Sequence, residues 1–115
     1  MAGKAKEEQS KYGREGTYTL SIGLENGYPH WLKTDGSQAI WFNKVTSWVV
    51  YDKSRLGDDV GGIFGPHGKD SYPNEIKQEW RYYDGTNWQD AGSNDIIFKA
   101  TGTSFKPLLY KINSL

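Results

Sequence analysis

The chain has 115 residues, and its 14 basic residues balance its 14 acidic residues, so the formal net charge is zero. A nucleic-acid-binding domain usually carries a basic face, and the lysines and arginines are scattered here, so we expect no nucleic-acid partner. The absence of cysteine excludes disulfides, thiolate catalysis and thiolate zinc sites.

Residues 1–15 are polar, and we expect them to form a flexible tail before a single β domain at residues 16–115. Residues 1–8 lack the apolar core of a signal peptide, and no apolar run reaches the roughly 20 residues of a membrane span. These features predict a cytoplasmic protein with no membrane span. A fragment of an extracellular protein is the alternative.

The first predicted strand follows the tail. Tyr18, Leu20, Ile22 and Leu24 alternate with polar residues or glycine, which is the period of a strand with one buried face. The dipeptide Asn26-Gly27 then predicts a tight turn with Gly27 at positive φ.

The chain should return through residues 30–32 as a second strand. Pro29 indicates either that this strand lies at a sheet edge or that the proline stands at the start of the strand. After Asp35-Gly36, residues 40–42 form the third predicted strand and residues 48–51 the fourth. The fourth run is apolar on both faces, so we expect it to be central, with Trp48 in the core.

Residues 52–76 are rich in glycine and proline and predict a long loop with a short strand at residues 63–64. Strands resume at residues 79–83, at Trp88 after the Asp84-Gly85 turn, at residues 96–100 and at residues 108–112. The fold class is therefore all-β, a small antiparallel sandwich or barrel of seven or eight short strands.

Two stretches of the chain have the same order of features, near residues 26–51 and 84–110. Each has an Asn-Gly or Asp-Gly turn, a tryptophan (Trp31 or Trp88), Gly-Ser, Ile-x-Phe, Thr-Ser-aromatic and a tyrosine. An internal duplication predicts equivalent places for Trp31 and Trp88. Chance similarity between short β units is the alternative.

The chain has few residues suited to catalysis or metal binding. His30 and His67 are its only histidines, and neither belongs to a zinc-binding pattern. Asp52, Asp58 and Asp59 offer oxygen ligands for calcium but lack EF-hand spacing. No Gly-x-Ser-x-Gly or Walker ending is present, so we predict no catalytic residue, metal or cofactor, with a small glycoside hydrolase as a lesser alternative.

The five tryptophans and eight tyrosines are more aromatic surface than a small core easily hides, so we expect some rings to face solvent and bind a ligand. The sequence predicts a non-catalytic binding module for a protein partner, or alternatively a carbohydrate-binding domain. A protein partner requires a contiguous apolar patch, whereas a glycan requires an exposed ring flanked by Asn or Asp. The candidate ligand-binding residues are Trp31, Trp41, Trp88, Tyr72, Tyr83, Asn26 and Asn87.

The order Tyr-x-Leu, Asn-Gly-x-Pro-x-Trp, Ile-Trp-Phe, Trp-Val-Val, a glycine-rich loop, Trp80 and Trp88 covers about residues 17–89. It resembles the short aromatic-rich β modules, with the pattern Asn-Gly-x-Pro-x-aromatic, of eukaryotic multidomain proteins. The resemblance implies a non-catalytic binding or scaffold unit and no specific ligand. Some similar modules contain cysteines, which this chain lacks.

Overall fold

The structure is a computed structural model, and it describes residues 13–43, 47–65, 72–75, 80–83, 86–90, 98–102 and 107–112. These residues form an all-β fold, as predicted, with two single turns of 3₁₀ helix at Lys53–Arg55 and Pro73–Glu75. The strands are β1 (Gly16–Leu20), β2 (Trp31–Lys33), β3 (Gln38–Phe42), β4 (Trp48–Asp52), β5 (Ile63–Gly65), β6 (Arg81–Tyr83), β7 (Trp88–Asp90), β8 (Phe98–Gly102) and β9 (Pro107–Ile112).

The nine strands belong to one curled antiparallel sheet in the order β7-β6-β5-β4-β3-β2-β1-β9-β8, a half-barrel. The prediction of a sandwich or barrel with seven or eight strands is corrected to this single sheet. Because neighbouring strands alternate in direction, the end strands β7 and β8 run the same way. Closing the barrel between them would need a parallel pair, and residues 91–97 are shorter than the dozen or so residues of a usual parallel crossover.

The concave face of the sheet holds the main core, which is mostly aromatic. Trp48 is buried there, as predicted, and its ring centroid lies 5.7 Å from that of Trp31 and 5.4 Å from that of Phe42. Tyr110 continues the cluster at 4.8 Å from Trp31. Such tilted and edge-to-face pairs add to the free energy gained by burying the rings, so they hold the curl of the sheet.

The convex face is covered by a second cluster built on Ala39, Trp41 and Val49. Leu56 and Val60, in the connection after β4, pack against it. All five residues of β3 are therefore buried. The fourth predicted strand, β4, is apolar on both faces because each face packs in one of the two clusters. The middle of the sheet order is occupied by its neighbour β3, so the expected central position is corrected by one strand.

The first hairpin differs from its prediction. β1 ends at Leu20, and Ile22 and Leu24, predicted to be buried, are 98% and 61% exposed. The backbone pairing extends one residue beyond β1, where Ser21 donates its N–H to the His30 carbonyl, and Gly23 then turns the chain at φ 87°. The alternation therefore continues in the sequence beyond the point where the strand stops.

The turn itself is as predicted, with Asn26 at φ 54° and Gly27 at φ 84° between the bridged residues Glu25 and Tyr28. Of the two positions predicted from Pro29, the sheet edge is wrong because β2 lies between β1 and β3, whereas the strand's start agrees with the structure, since Pro29 lies just before β2. Pro29 is tolerated because it precedes the strand and takes no place in the ladder.

The structure describes residues 13–15 of the predicted tail, and Arg14 among them packs against the sheet. Arg14 is buried, its carbonyl accepts a 2.7 Å hydrogen bond from the Tyr18 hydroxyl, and its guanidinium lies 5.5 Å from the Tyr51 ring centroid. Arg14, within the predicted tail, therefore lies against the sheet. Residues 1–12 lie outside the described residues.

The strand order does not repeat between the two similar stretches. β2 pairs with β3, whereas the corresponding strands β7 and β8 lie at opposite ends of the sheet. Trp31 is buried in the middle and Trp88 lies on an edge strand, so the predicted equivalence of these two residues is wrong. Residues 91–97 and 103–106 of the second stretch lie outside the described residues.

Candidate functional site

Trp31 and Trp41 have no exposed surface, so their predicted exposure is wrong. Trp31 points into the concave core, where it meets Trp48 and Tyr110. Trp41 points to the convex face, where the loop covers it and its indole N–H donates a 2.9 Å hydrogen bond to the Asp58 carbonyl. Neither ring can form a platform for a ligand in this conformation.

Asn26 and Tyr72 also serve the fold. The Asn26 amide donates to the carbonyls of Phe42 at 2.9 Å and Gly57 at 3.1 Å, and so ties the first turn to two other segments. Tyr72 is half-buried, with its ring 6.0 Å from Trp31 and 6.1 Å from Trp48. These contacts place both residues away from the exposed aromatics of the hairpin formed by β6 and β7.

Three of the predicted site residues, Tyr83, Asn87 and Trp88, do come together at the β6–β7 hairpin. Tyr83 and Trp88 are register partners on its convex face, 36% and 39% exposed, with ring centroids 5.6 Å apart. Asn87 is exposed and precedes Trp88 in the chain. We call Phe64, Tyr83 and Trp88 the hairpin patch, because Phe64 of β5 lies 5.7 Å from the Trp88 ring.

The hairpin patch is held from two sides. The half-buried Phe64 ring packs against the buried convex cluster, so the patch continues that cluster toward the edge of the sheet. Tyr83 donates its hydroxyl to the Thr86 carbonyl at 3.4 Å, which ties the ring to its own turn. The Trp88 ring meets Phe64 and Tyr83 at interplanar angles of 65° and 63°. Its orientation is therefore set by the fold.

A pair of opposite charges lies beside the aromatic rings. Arg81 and Asp90 are the next register partners on the same convex face, with Arg81 Nε 3.3 Å from Asp90 Oδ1. Same-face neighbours along a strand are about 7 Å apart, so the charged pair lies about that distance from Tyr83 and Trp88.

Sequence reasoning missed Phe64, Arg81 and Asp90. Alternation about the Asp84-Gly85 turn would have placed Arg81, Tyr83, Trp88 and Asp90 on one face, because side chains two apart share a face of a strand. The contact with Phe64 had no local pattern to predict it.

The candidate calcium ligands instead pair with other side chains of the described residues. Asp59 accepts a 2.8 Å hydrogen bond from the Asn43 amide, Asp58 pairs with Arg55 at 2.8 Å, and Asp52 accepts from Gln38 at 2.8 Å. Within the described ranges, no group of three or more His, Cys, Asp or Glu side chains is placed to hold a metal ion. His67 lies outside those ranges.

His30 is buried, and burial lowers the pKa of its imidazole, with Glu25 opposing the shift. Nδ1 has no hydrogen-bond partner among the described residues. The neutral ring is thus the form that suits this position, and the residue fits a structural role.

In the part of the chain that the structure describes, no helix is long and apolar enough to cross a membrane.

Comparison with known proteins gives no further identification. No family model matches this chain, and neither a curated protein nor a solved structure is significantly similar to it.

Proposed function

We propose that this protein is a non-catalytic carbohydrate-binding module that stacks a sugar ring on the hairpin patch. The observation that carries the proposal is the exposure of Trp88, 39%, beside the 36% exposed ring of Tyr83. Trp88 is the one tryptophan among Trp31, Trp41 and Trp88 that keeps a solvent-facing surface.

The size of the patch favours a sugar over a protein as its ligand. Aromatic side chains present about 150–250 Å² each, so the exposed parts of Trp88 and Tyr83 amount to roughly 150 Å². A stable protein interface buries about 800 Å² on each partner, which is several times the exposed area of these two rings. Asp90 lies on the same face as the two rings and Asn87 directly precedes Trp88 in the chain, so polar groups of the kind that a glycan requires are close to the rings in the hairpin.

The absence of catalysis is part of the same proposal. Glycoside hydrolysis commonly uses two carboxyl groups at about 5–5.5 Å or about 6.5–9.5 Å from each other. Asp90 is the only carboxylate of strands β5, β6 and β7, and it is paired with Arg81. These strands therefore supply only one of the two carboxyl groups that glycoside hydrolysis commonly uses.

A glycan array followed by NMR titration tests the proposal. One sugar residue on a surface patch should bind at about millimolar Kd, and longer oligosaccharides more tightly. Trp88→Ala should abolish binding, and Ile22→Ala, which removes an exposed apolar group elsewhere, should bind like the parent. Equal binding by Trp88→Ala and the parent would contradict the proposal.

A protein partner is the second candidate, and it is favoured by the first hairpin. Ile22 is almost fully exposed and Leu24 is largely so, and such a pair of aliphatic side chains suits a protein pocket better than a sugar. A cross-linking pull-down with the parent and an Ile22→Ser/Leu24→Ser variant tests it. Recovery of the same partners by both proteins would reject this candidate.

A further inference from the structure

We infer that Arg81 and Asp90 form the hydroxyl-binding half of the sugar site and select a neutral pyranoside over an acidic one. The inference rests on the proposed carbohydrate-binding function and names the class of sugar that the site takes. It depends on the arrangement of four side chains on the convex face of the hairpin.

The four side chains form two rows in register. Tyr83 faces Trp88 in one row, and Arg81 faces Asp90 in the next. Rows of the same face are about 7 Å apart, so a ring stacked on Trp88 extends its hydroxyls toward the charged row. An aromatic face binds the C–H side of a pyranose, and the hydroxyls then need polar partners at the edge of the platform.

The charged row offers both kinds of hydrogen-bonding group. The Arg81 guanidinium only donates, and the Asp90 carboxylate only accepts. A sugar hydroxyl both donates and accepts, so adjacent hydroxyls of one ring can pair with the two side chains together. Arg81 is 47% and Asp90 is 90% exposed, which keeps both groups accessible to a ligand.

The balance of charge sets the preference for a neutral sugar. Asp90 already offsets the positive charge of Arg81 at 3.3 Å, so the row carries no net charge to attract a carboxylate. The largely exposed Asp90 carboxylate would repel a sugar carboxylate that lies near it. A uronic acid on the Trp88 ring is therefore disfavoured relative to the matching neutral sugar.

The charged pair can be altered without loss of the fold. Exposed ion pairs contribute little to stability, so Arg81→Gln and Asp90→Asn should melt close to the parent. Both changes keep most of the shape of the side chain. Asp90→Asn also leaves Arg81 without its neighbouring negative charge, which should draw acidic sugars to the site.

The experiment measures the affinity of the parent, Trp88→Ala, Arg81→Gln and Asp90→Asn by NMR titration. The probes are cellobiose, lactose and mannobiose, with cellobiouronic acid as the acidic match to cellobiose. For the neutral disaccharide that the parent binds best, Arg81→Gln and Asp90→Asn should each weaken binding about tenfold, the effect of one lost charge-assisted hydrogen bond. Asp90→Asn should also lower the ratio of neutral to acidic affinity, which a purely structural role would not change.

The outcomes separate this inference from the proposed function. If Trp88→Ala loses binding while Arg81→Gln and Asp90→Asn bind like the parent, the charged pair has no role and the inference is overturned, whereas the stacking site stands. A parent that prefers the acidic disaccharide overturns the inference in the same way. If the parent binds none of the probes, or Trp88→Ala binds them as well as the parent, the proposed function and the inference both fail.

Discussion

The Trp88 ring lies 5.7 Å from that of Phe64, although β6 separates their two strands. The register partner of Phe64 is Arg81, so the Trp88 side chain reaches diagonally across β6 to make this contact. An exposed tryptophan that also packs against a neighbour loses less side-chain entropy when a ligand binds. The contact therefore connects the convex cluster to the surface that we propose as the binding site.

Phe64→Leu tests this positioning. The change keeps an apolar side chain and removes the edge-to-face ring contact, so the free energy of unfolding should fall by about 1 kcal/mol. Glycan affinity should fall about threefold to fivefold because Trp88 is held less firmly. Val60→Ala, in the same convex cluster, is the control, and it should lower stability without changing affinity. Equal affinities of Phe64→Leu and the parent would show that Trp88 needs no support from Phe64.

Trp48→Ala tests the concave core. Trp48 is buried among Trp31, Phe42 and Tyr28, and truncating it should leave a large cavity. The free energy of unfolding in urea should fall by about 3–5 kcal/mol. Leu24→Ala, at an exposed apolar position, should change it by less than about 0.5 kcal/mol. Similar urea midpoints for the two variants would contradict the placement of Trp48.

Gly62→Ala tests the docking of Arg14. A Cβ at Gly62 would overlap the Arg14 guanidinium, so this buried side chain would have to leave its place beside the Tyr51 ring, and the substitution should destabilise the fold by about 1 kcal/mol. In an Arg14→Ala background the overlap is gone, and the same substitution should cost less than about 0.5 kcal/mol. A double-mutant cycle from urea unfolding measures the difference. Equal costs of Gly62→Ala in the two backgrounds would show that Arg14 does not pack there.

His30 predicts a loss of stability on acidification. Burial lowers its pKa in the folded state below the ordinary value of 6.5, so the unfolded chain binds the proton more readily. The contribution of His30 is fully present above pH 6.5 and is lost as the pH falls through its folded pKa. Urea unfolding at about pH 7.5 and about pH 5 should show a smaller loss for His30→Gln than for the parent. The same loss in both proteins would contradict the shift.

Local patterns in the sequence predicted much of the fold. Asn26-Gly27 predicted its turn because only a few residue types tolerate positive φ. The doubly apolar run at Trp48 predicted a buried strand. The exposure of Ile22 could not be predicted in this way, because the alternation in the sequence continues beyond the end of β1 and into the turn at Gly23.

The candidate site was predictable only in part. Trp31 and Trp88 have similar neighbours in the sequence, yet one lies inside the sheet and the other on an edge strand. That difference depends on the order of all nine strands, which is a non-local property. Alternation around the Asp84-Gly85 turn is enough to predict that Arg81, Tyr83, Trp88 and Asp90 share one face of the hairpin. The contact with Phe64 depends on the pairing of β5 with β6, which no local pattern predicts.

The most direct test of the account is a ¹H–¹⁵N NMR titration that follows the five tryptophan indole N–H signals during addition of a glycan identified on the array. The signal of Trp88 is assigned from its loss in Trp88→Phe. The account predicts a saturable shift of the Trp88 signal, with the signals of the buried Trp31, Trp41 and Trp48 nearly unchanged. Binding that shifts other indole signals and leaves that of Trp88 in place would contradict the account.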